Sequence, residues 1–124
     1  MTPEQQYHSL VESVRLIAAS KEEQLSALPD FVSATDEIAG CYGDAYLLVP
    51  QLVRGGLIRV EAVESLKRLD DWFEDMPVDG SIASVASLDT HEFWERARQL
   101  AADALSKLGE DKRPPNLSHI FWTQ

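Results

Sequence analysis

Apolar side chains recur at intervals of three and four residues in four separate stretches of the chain. In residues 60–76 the spacing is 4-3-4-3, carried by Ala62, Leu66, Leu69, Phe73 and Met76. This spacing places the apolar groups on one face of an α-helix, whereas a half-buried strand requires alternation. We therefore predict an all-α protein with four main helices, at about residues 3–27, 35–54, 60–76 and 90–108.

Capping residues indicate where the first helix begins. Thr2 and Gln5 have the spacing of a capping box, in which each side chain accepts a hydrogen bond from the other residue's backbone N–H. Ser20 and Glu23 repeat this spacing inside the same helical stretch. The first helix therefore either continues to residue 27 or restarts near residue 20.

The ends of the second and fourth helices carry similar signals. Thr35 is a predicted N-cap for the second helix, and Pro50 should kink this helix or split it in two. Asp89 or Thr90 is the predicted N-cap of the fourth helix, and Gly109 is its predicted end. For residues 81–88, a short helix and an extended connector fit equally well.

The connections predicted between the helices are short, and the sequence has no internal repeat and no long linker. These features favour a single domain over residues 1–124, built as an antiparallel bundle of the four main helices with short extra helical segments. Because an apolar tail is unfavourable in water, we expect the C-terminal tail to dock on the bundle or on another chain. Its apolar residues are Leu117, Ile120, Phe121 and Trp122.

The charge balance restricts the classes of partner. The chain has 11 Lys and Arg residues against 21 Asp and Glu residues, which gives a net charge of −10. Such a surface repels nucleic-acid phosphates and anionic lipid headgroups, and it attracts basic proteins. We expect a basic protein partner, no nucleic acid and no membrane.

No pattern in the sequence predicts catalysis, a metal or a cofactor. His91 and Glu95 are four residues apart on one helix face, but without a second pair of ligands they are more typical of a solvated polar face. Cys41 has no neighbouring base, which favours a small buried thiol in the core. We expect a non-enzyme, and a cytoplasmic location because the N-terminal residues lack the features of a signal peptide.

The third helix carries the strongest candidate for a binding site. Residues 61–79 contain seven carboxylates, opposed only by Lys67 and Arg68. Trp72 lies within the densest part of this run, one position from the core-facing residues. An exposed tryptophan surrounded by charge is typical of a binding hot spot. The predicted partner-binding residues are Asp70, Asp71, Trp72, Glu74 and Asp75.

A simpler interpretation of the same residues stays open. Runs of charge usually solubilise a helix, and Trp72 would then lie under a loop. Asp71, Glu74 and Asp75 are three and four residues apart, so they share one helix face and repel one another. A basic partner would convert this repulsion into attraction.

Residues 28–76 contain four short motifs: Asp-Glu-Ile-Ala at residues 36–39, Asp-Ala-Tyr-Leu-Leu at 44–48, Gly-Leu-Ile at 56–58 and Leu-Asp at 69–70. In this pattern the segment resembles a group of small, uncharacterised acidic bacterial proteins. In size and acidity the chain is also similar to immunity proteins of bacterial toxin systems, such as contact-dependent growth inhibition. That resemblance implies neutralisation of a toxin, often a basic nuclease, by binding over its active site. The alternative is a helical adaptor or self-associating protein that uses residues 120–122 as its contact.

Overall fold

The computed structural model describes residues 1–120, and every regular element in this part of the chain is an α-helix. Residues 1–120 form seven helices: α1 (Pro3–Ala18), α2 (Lys21–Ala27), α3 (Ala34–Tyr46), α4 (Val49–Arg54), α5 (Val60–Glu74), α6 (Ser87–Thr90) and α7 (Glu92–Leu108). The prediction of an all-α fold is confirmed for these residues. None of these helices combines the length and the apolar character needed to cross a bilayer.

The first predicted helix, 3–27, is two helices. Both predicted capping boxes are present, with Thr2 at the start of α1 and Ser20 at the start of α2. The chain is extended at Ala19, because the Ser20 side chain accepts a bond from the Glu23 N–H and starts a new helix. The buried Gln24 amide donates to the Leu16 carbonyl oxygen at 3.0 Å and so satisfies the end of α1.

The second predicted helix, 35–54, is divided between α3 and α4. Pro50 lies in the first turn of α4, where a missing N–H removes no helical hydrogen bond. The predicted N-cap was wrong: Ser33 precedes α3, and Thr35 lies inside its first turn. The Thr35 hydroxyl instead donates to the Ala83 carbonyl oxygen at 2.9 Å, which fastens the connection after α5 to α3.

The remaining boundaries differ from the predictions by a few residues. Helix α5 ends at Glu74, with Asp75 as its C-cap, rather than at residue 76. The N-cap of α7 is His91, whose Nδ1 accepts from the Phe93 N–H at 3.0 Å, so the predicted caps Asp89 and Thr90 were wrong. Those two residues end the short helix α6, and residues 81–86 form turns. Gly109 ends α7 in the left-handed conformation, as predicted.

The buried apolar side chains form one core cluster. Helix α7 packs against α5 and α1, and α1 packs against α3. The Tyr42 hydroxyl crosses from α3 to donate to the Leu66 carbonyl oxygen of α5 at 2.6 Å. The core therefore fixes the position of α5 from two sides. The antiparallel order of four main helices and the single-domain division stay predictions.

The segment after α7 lies along α1. Leu117 is buried in the core cluster, and Ile120 packs against it. The Asn116 N–H donates to the Glu12 carboxylate at 2.9 Å, and the Arg15 guanidinium contacts the Asp111 carboxylate at 2.8 Å. The first part of the predicted apolar tail thus docks on its own chain. Phe121 and Trp122, the rest of that prediction, lie outside the described residues.

Candidate protein-binding surface

The second half of α5 divides its side chains between the core and the surface. Leu69 and Phe73 are buried, as the 4-3-4-3 spacing predicts. Asp71, Glu74 and Asp75 are exposed, and Asp70 is partly buried. We refer to Asp70, Asp71, Glu74 and Asp75 as the acidic patch.

The chain's own cations neutralise only part of the acidic patch. Lys67 Nζ lies 2.8 Å from Asp71 Oδ2, one turn away on α5. Arg68 pairs with Glu64 at 3.0 Å, outside the patch. Among residues 1–120, no other carboxylate of the acidic patch is in an ion pair. Exposed pairs of this kind contribute little stability, so the Lys67 side chain is easily released.

The indole of Trp72 is partly buried and lies against α7. Its ring stacks on the Phe93 ring, with centroids 5.4 Å apart and 16° between the planes. Its Nε1–H donates to the Phe93 carbonyl oxygen at 3.1 Å. The structure thus falls between the two interpretations of the sequence: Trp72 is neither a freely exposed ring nor an enclosed one. Its position is fixed by α7, and its remaining surface borders the acidic patch.

Asp70 is held in an unfavourable environment. Its pKa is raised, first by burial and then by the negative charges of Glu74 and Asp71, with Lys67 acting in the opposite direction. Burial, followed by the charge of Asp70, also raises the pKa of the Tyr46 hydroxyl. The free protein therefore loses stability by ionising Asp70 at neutral pH.

Replacing Asp70 by asparagine should stabilise the protein at pH 7 by a few tenths of a kcal/mol, because it removes a charge that is partly buried and is also repelled by Glu74 and Asp71. For a carboxylic acid with a raised pKa, the folded state is favoured at low pH and loses stability as the pH rises through that pKa. The gain from Asp70→Asn should therefore disappear below about pH 3.9, the ordinary pKa of the aspartate side chain. Urea unfolding of both proteins at pH 7 and pH 3 tests this. Asp30→Asn, in an exposed loop, is the control, and equal gains at both pH values would contradict the prediction.

A cleft of about 480 Å³ opens beside Trp72, between the end of α5 and the start of α7. Its lining residues are Trp72, Asp75, Pro77, His91, Glu92, Phe93 and Arg96. No pattern in the sequence connects His91, Glu92 or Arg96 with Trp72. The only local signal was the aromatic residue at position 93, since the pairing of α5 with α7 depends on the whole fold.

The other chemical candidates lie apart from this surface or are engaged in structure. His91 Nδ1 is occupied in capping α7. Cys41 is only partly buried, where a core thiol was expected, and burial, then Glu37 and Asp44, raises its pKa to about 11. Such a thiol is not a thiolate nucleophile at neutral pH. Within residues 1–120, no group of three His, Cys, Asp or Glu side chains is arranged to hold a metal ion.

The surface assembled by α5 and α7 thus combines carboxylates, a fixed indole and an apolar cleft. These groups suit recognition of another molecule by charge and shape. Comparisons of the chain with protein-family models, curated proteins and solved structures found no match.

Proposed function

We propose that this chain is a partner-binding protein that uses the acidic patch and Trp72 to bind a basic protein, specifically as an immunity protein that neutralises a cognate bacterial toxin. The observation that carries the proposal is the juxtaposition of exposed, incompletely paired carboxylates with a partly exposed indole. Trp72 supplies the apolar contact, and the acidic patch supplies the charge. Tryptophan is among the residues that contribute most to binding energy at protein interfaces.

Electrostatic attraction explains why unfavourable charge would be kept on α5. Carboxylates crowded at spacings of three and four residues repel one another in the free protein. A basic surface brought against them gains attraction and associates faster, especially at low ionic strength. The pKa of Asp70, raised first by burial and then by Glu74 and Asp71, supports this view, because the ionised form of Asp70 disfavours the folded state.

The supporting helices favour a rigid binding surface. Trp72 is held by both its hydrogen bond to the Phe93 carbonyl oxygen and its ring stacking. A side chain fixed before association loses less entropy on binding. We include in the proposal that α5 and α7 belong to an antiparallel bundle with α1 and α3, which would keep this surface in place.

The test is capture of partners from the native host at low salt by the wild type and two double variants. Glu74→Lys with Asp75→Lys reverses two of the four charges of the acidic patch. Asp30→Lys with Asp44→Lys makes the same change in net charge at exposed sites on the loop before α3 and on α3 itself. We expect a basic protein whose affinity falls about tenfold or more in the patch variant, as electrostatic steering allows, and persists in the control. Equal binding by both variants would contradict the proposed role of the acidic patch in partner binding.

Neutralisation is tested separately with the captured protein. Its expression alone should arrest growth, co-expression with the wild type should restore growth, and the patch variant should restore it poorly. A captured protein that has no toxic activity would contradict the immunity function while leaving partner binding intact. The alternative, self-association through residues 120–122, predicts a dimer that dissociates when the last eight residues are deleted. It is less favoured because Leu117 is already buried in its own chain.

A further inference from the structure

The cleft beside Trp72 is lined by both apolar and charged side chains. Trp72, Pro77 and Phe93 supply the apolar surface, while Asp75 from the end of α5 and Glu92 from the first turn of α7 supply carboxylates. The two acidic residues come from different helices, so the cleft exists only because α5 packs against α7. It differs from the acidic patch in having side chains from both helices and an apolar lining.

We propose that this cleft receives one arginine or lysine side chain of the basic partner; this inference rests on the proposed function. The aliphatic stem of such a side chain would lie on Trp72 and Pro77, and its cationic head would face Asp75 and Glu92. Long cationic side chains commonly bury their stems on apolar surface and keep the charged group at a polar edge. Arginine suits the site especially well, because its guanidinium stacks on aromatic rings and binds carboxylates.

The charges lining the cleft favour a cation as the occupant. Neither Asp75 nor Glu92 forms an ion pair with any residue in the part of the chain that the structure describes. Arg96 also lines the cleft, but its Nη1 donates to the Gln99 amide oxygen at 3.2 Å. The two carboxylates are therefore available to a cationic ligand. The positive charge of Arg96 repels such a ligand and weakens its binding. Removing Arg96 should strengthen binding, an effect that a purely structural role would not produce.

The experiment follows the Trp72 indole N–H by NMR during titration with three short peptides. The peptides are identical except at one central position, which holds arginine, its neutral analogue citrulline, or leucine. We expect a saturable change in the chemical shift of this N–H with the arginine peptide only. The expected Kd is about 1 mM, which corresponds to a binding free energy of about 4 kcal/mol. An equal shift with the citrulline or leucine peptide, or no shift with the arginine peptide, would overturn the proposal.

Variants outside the acidic patch complete the test. Glu92→Gln should weaken arginine-peptide binding roughly threefold, and Arg96→Gln should strengthen it by a similar factor, as exposed charge pairs allow. Glu95→Gln is the matched control, because Glu95 is exposed in the same first turn of α7 but does not line the cleft. Equal effects of Glu92→Gln and Glu95→Gln would show that the cleft is not the site.

The two proposals fail in different ways. Binding of the captured protein could be lost in the Glu74→Lys, Asp75→Lys variant but unchanged by Glu92→Gln and Arg96→Gln. In that case the partner-binding proposal is supported and the cleft proposal is wrong. If no basic protein is captured but the arginine peptide still binds beside Trp72, the cleft takes a cation and the proposed function is wrong.

Discussion

Replacement of Arg15 by methionine should lower the free energy of unfolding by about 3–5 kcal/mol, the usual cost of removing one partner of a buried ion pair. The Arg15 side chain is only 5% exposed, and it lies 2.8 Å from Glu12, which is 4% exposed. It also contacts Glu110 at 3.2 Å and Asp111 at 2.8 Å in the segment after α7. Without the guanidinium, the Glu12 carboxylate stays buried with the Asn116 N–H as its remaining partner.

Two further variants separate this explanation from a general loss of packing. Glu12→Gln combined with Arg15→Met removes both charges, and it should be more stable than Arg15→Met alone, because no uncompensated charge is then buried. Lys67→Met breaks the exposed pair with Asp71 and should cost about 0–1 kcal/mol. Urea unfolding monitored by circular dichroism measures all three. A cost for Arg15→Met no larger than that for Lys67→Met would contradict the prediction.

Truncation of Trp94 to alanine should destabilise the protein by about 3–5 kcal/mol, through the loss of apolar burial and the cavity left behind. Trp94 is 1% exposed, and its ring packs against the rings of Phe73 and Phe93. The indole Nε1–H also donates to the Ile82 carbonyl oxygen and to the Ser87 hydroxyl, both at 3.2 Å. Trp94 therefore joins the aromatic core to the turns that connect α5 with α6.

Phenylalanine at the same position distinguishes the ring from its N–H group. Trp94→Phe keeps most of the aromatic contact and should cost about 1–2 kcal/mol, mainly for the lost hydrogen bonds. The Ser87 hydroxyl stays within hydrogen-bond distance of the Ile82 carbonyl oxygen, at 2.9 Å, and of the Ser84 carbonyl oxygen, at 2.6 Å, so its single O–H is shared between them. Thermal unfolding measures stability, and limited proteolysis within residues 77–86 reports on the turns. Equal costs for Trp94→Phe and Trp94→Ala would show that the hydrogen bonds, rather than burial, dominate.

The sequence predicted the start of a helix correctly where a capping box lies next to it. The capping boxes at Thr2 and Ser20 formed, because their partners lie three residues away and need no tertiary contact. The predicted start of α3 was wrong, because more than one residue near it is suitable as an N-cap. Thr35 was predicted to cap α3, yet its hydroxyl bonds to Ala83, 48 residues further along. No local pattern carries that information.

The same distinction applies to the candidate surface. The spacing of Leu66, Leu69 and Phe73 placed the carboxylates of α5 on the outer face, because helix geometry alone relates these positions. The position and partial burial of the Trp72 indole depend on α7, since Phe93 supplies both the stacking ring and the carbonyl acceptor. The cleft likewise needs Glu92 and Arg96 from that helix.

The sequence by itself determined the helical class, the core-facing residues and the excess of negative charge, since each follows from composition or from spacings of a few residues. Tertiary structure decided which side chains meet across helices. It paired Arg15 with Glu110 and Asp111, which lie 95 and 96 residues away along the chain, and it placed Trp72 against α7. The physical reason is that helical periodicity fixes the direction of a side chain relative to its own axis, whereas its neighbours are set by how the whole core packs.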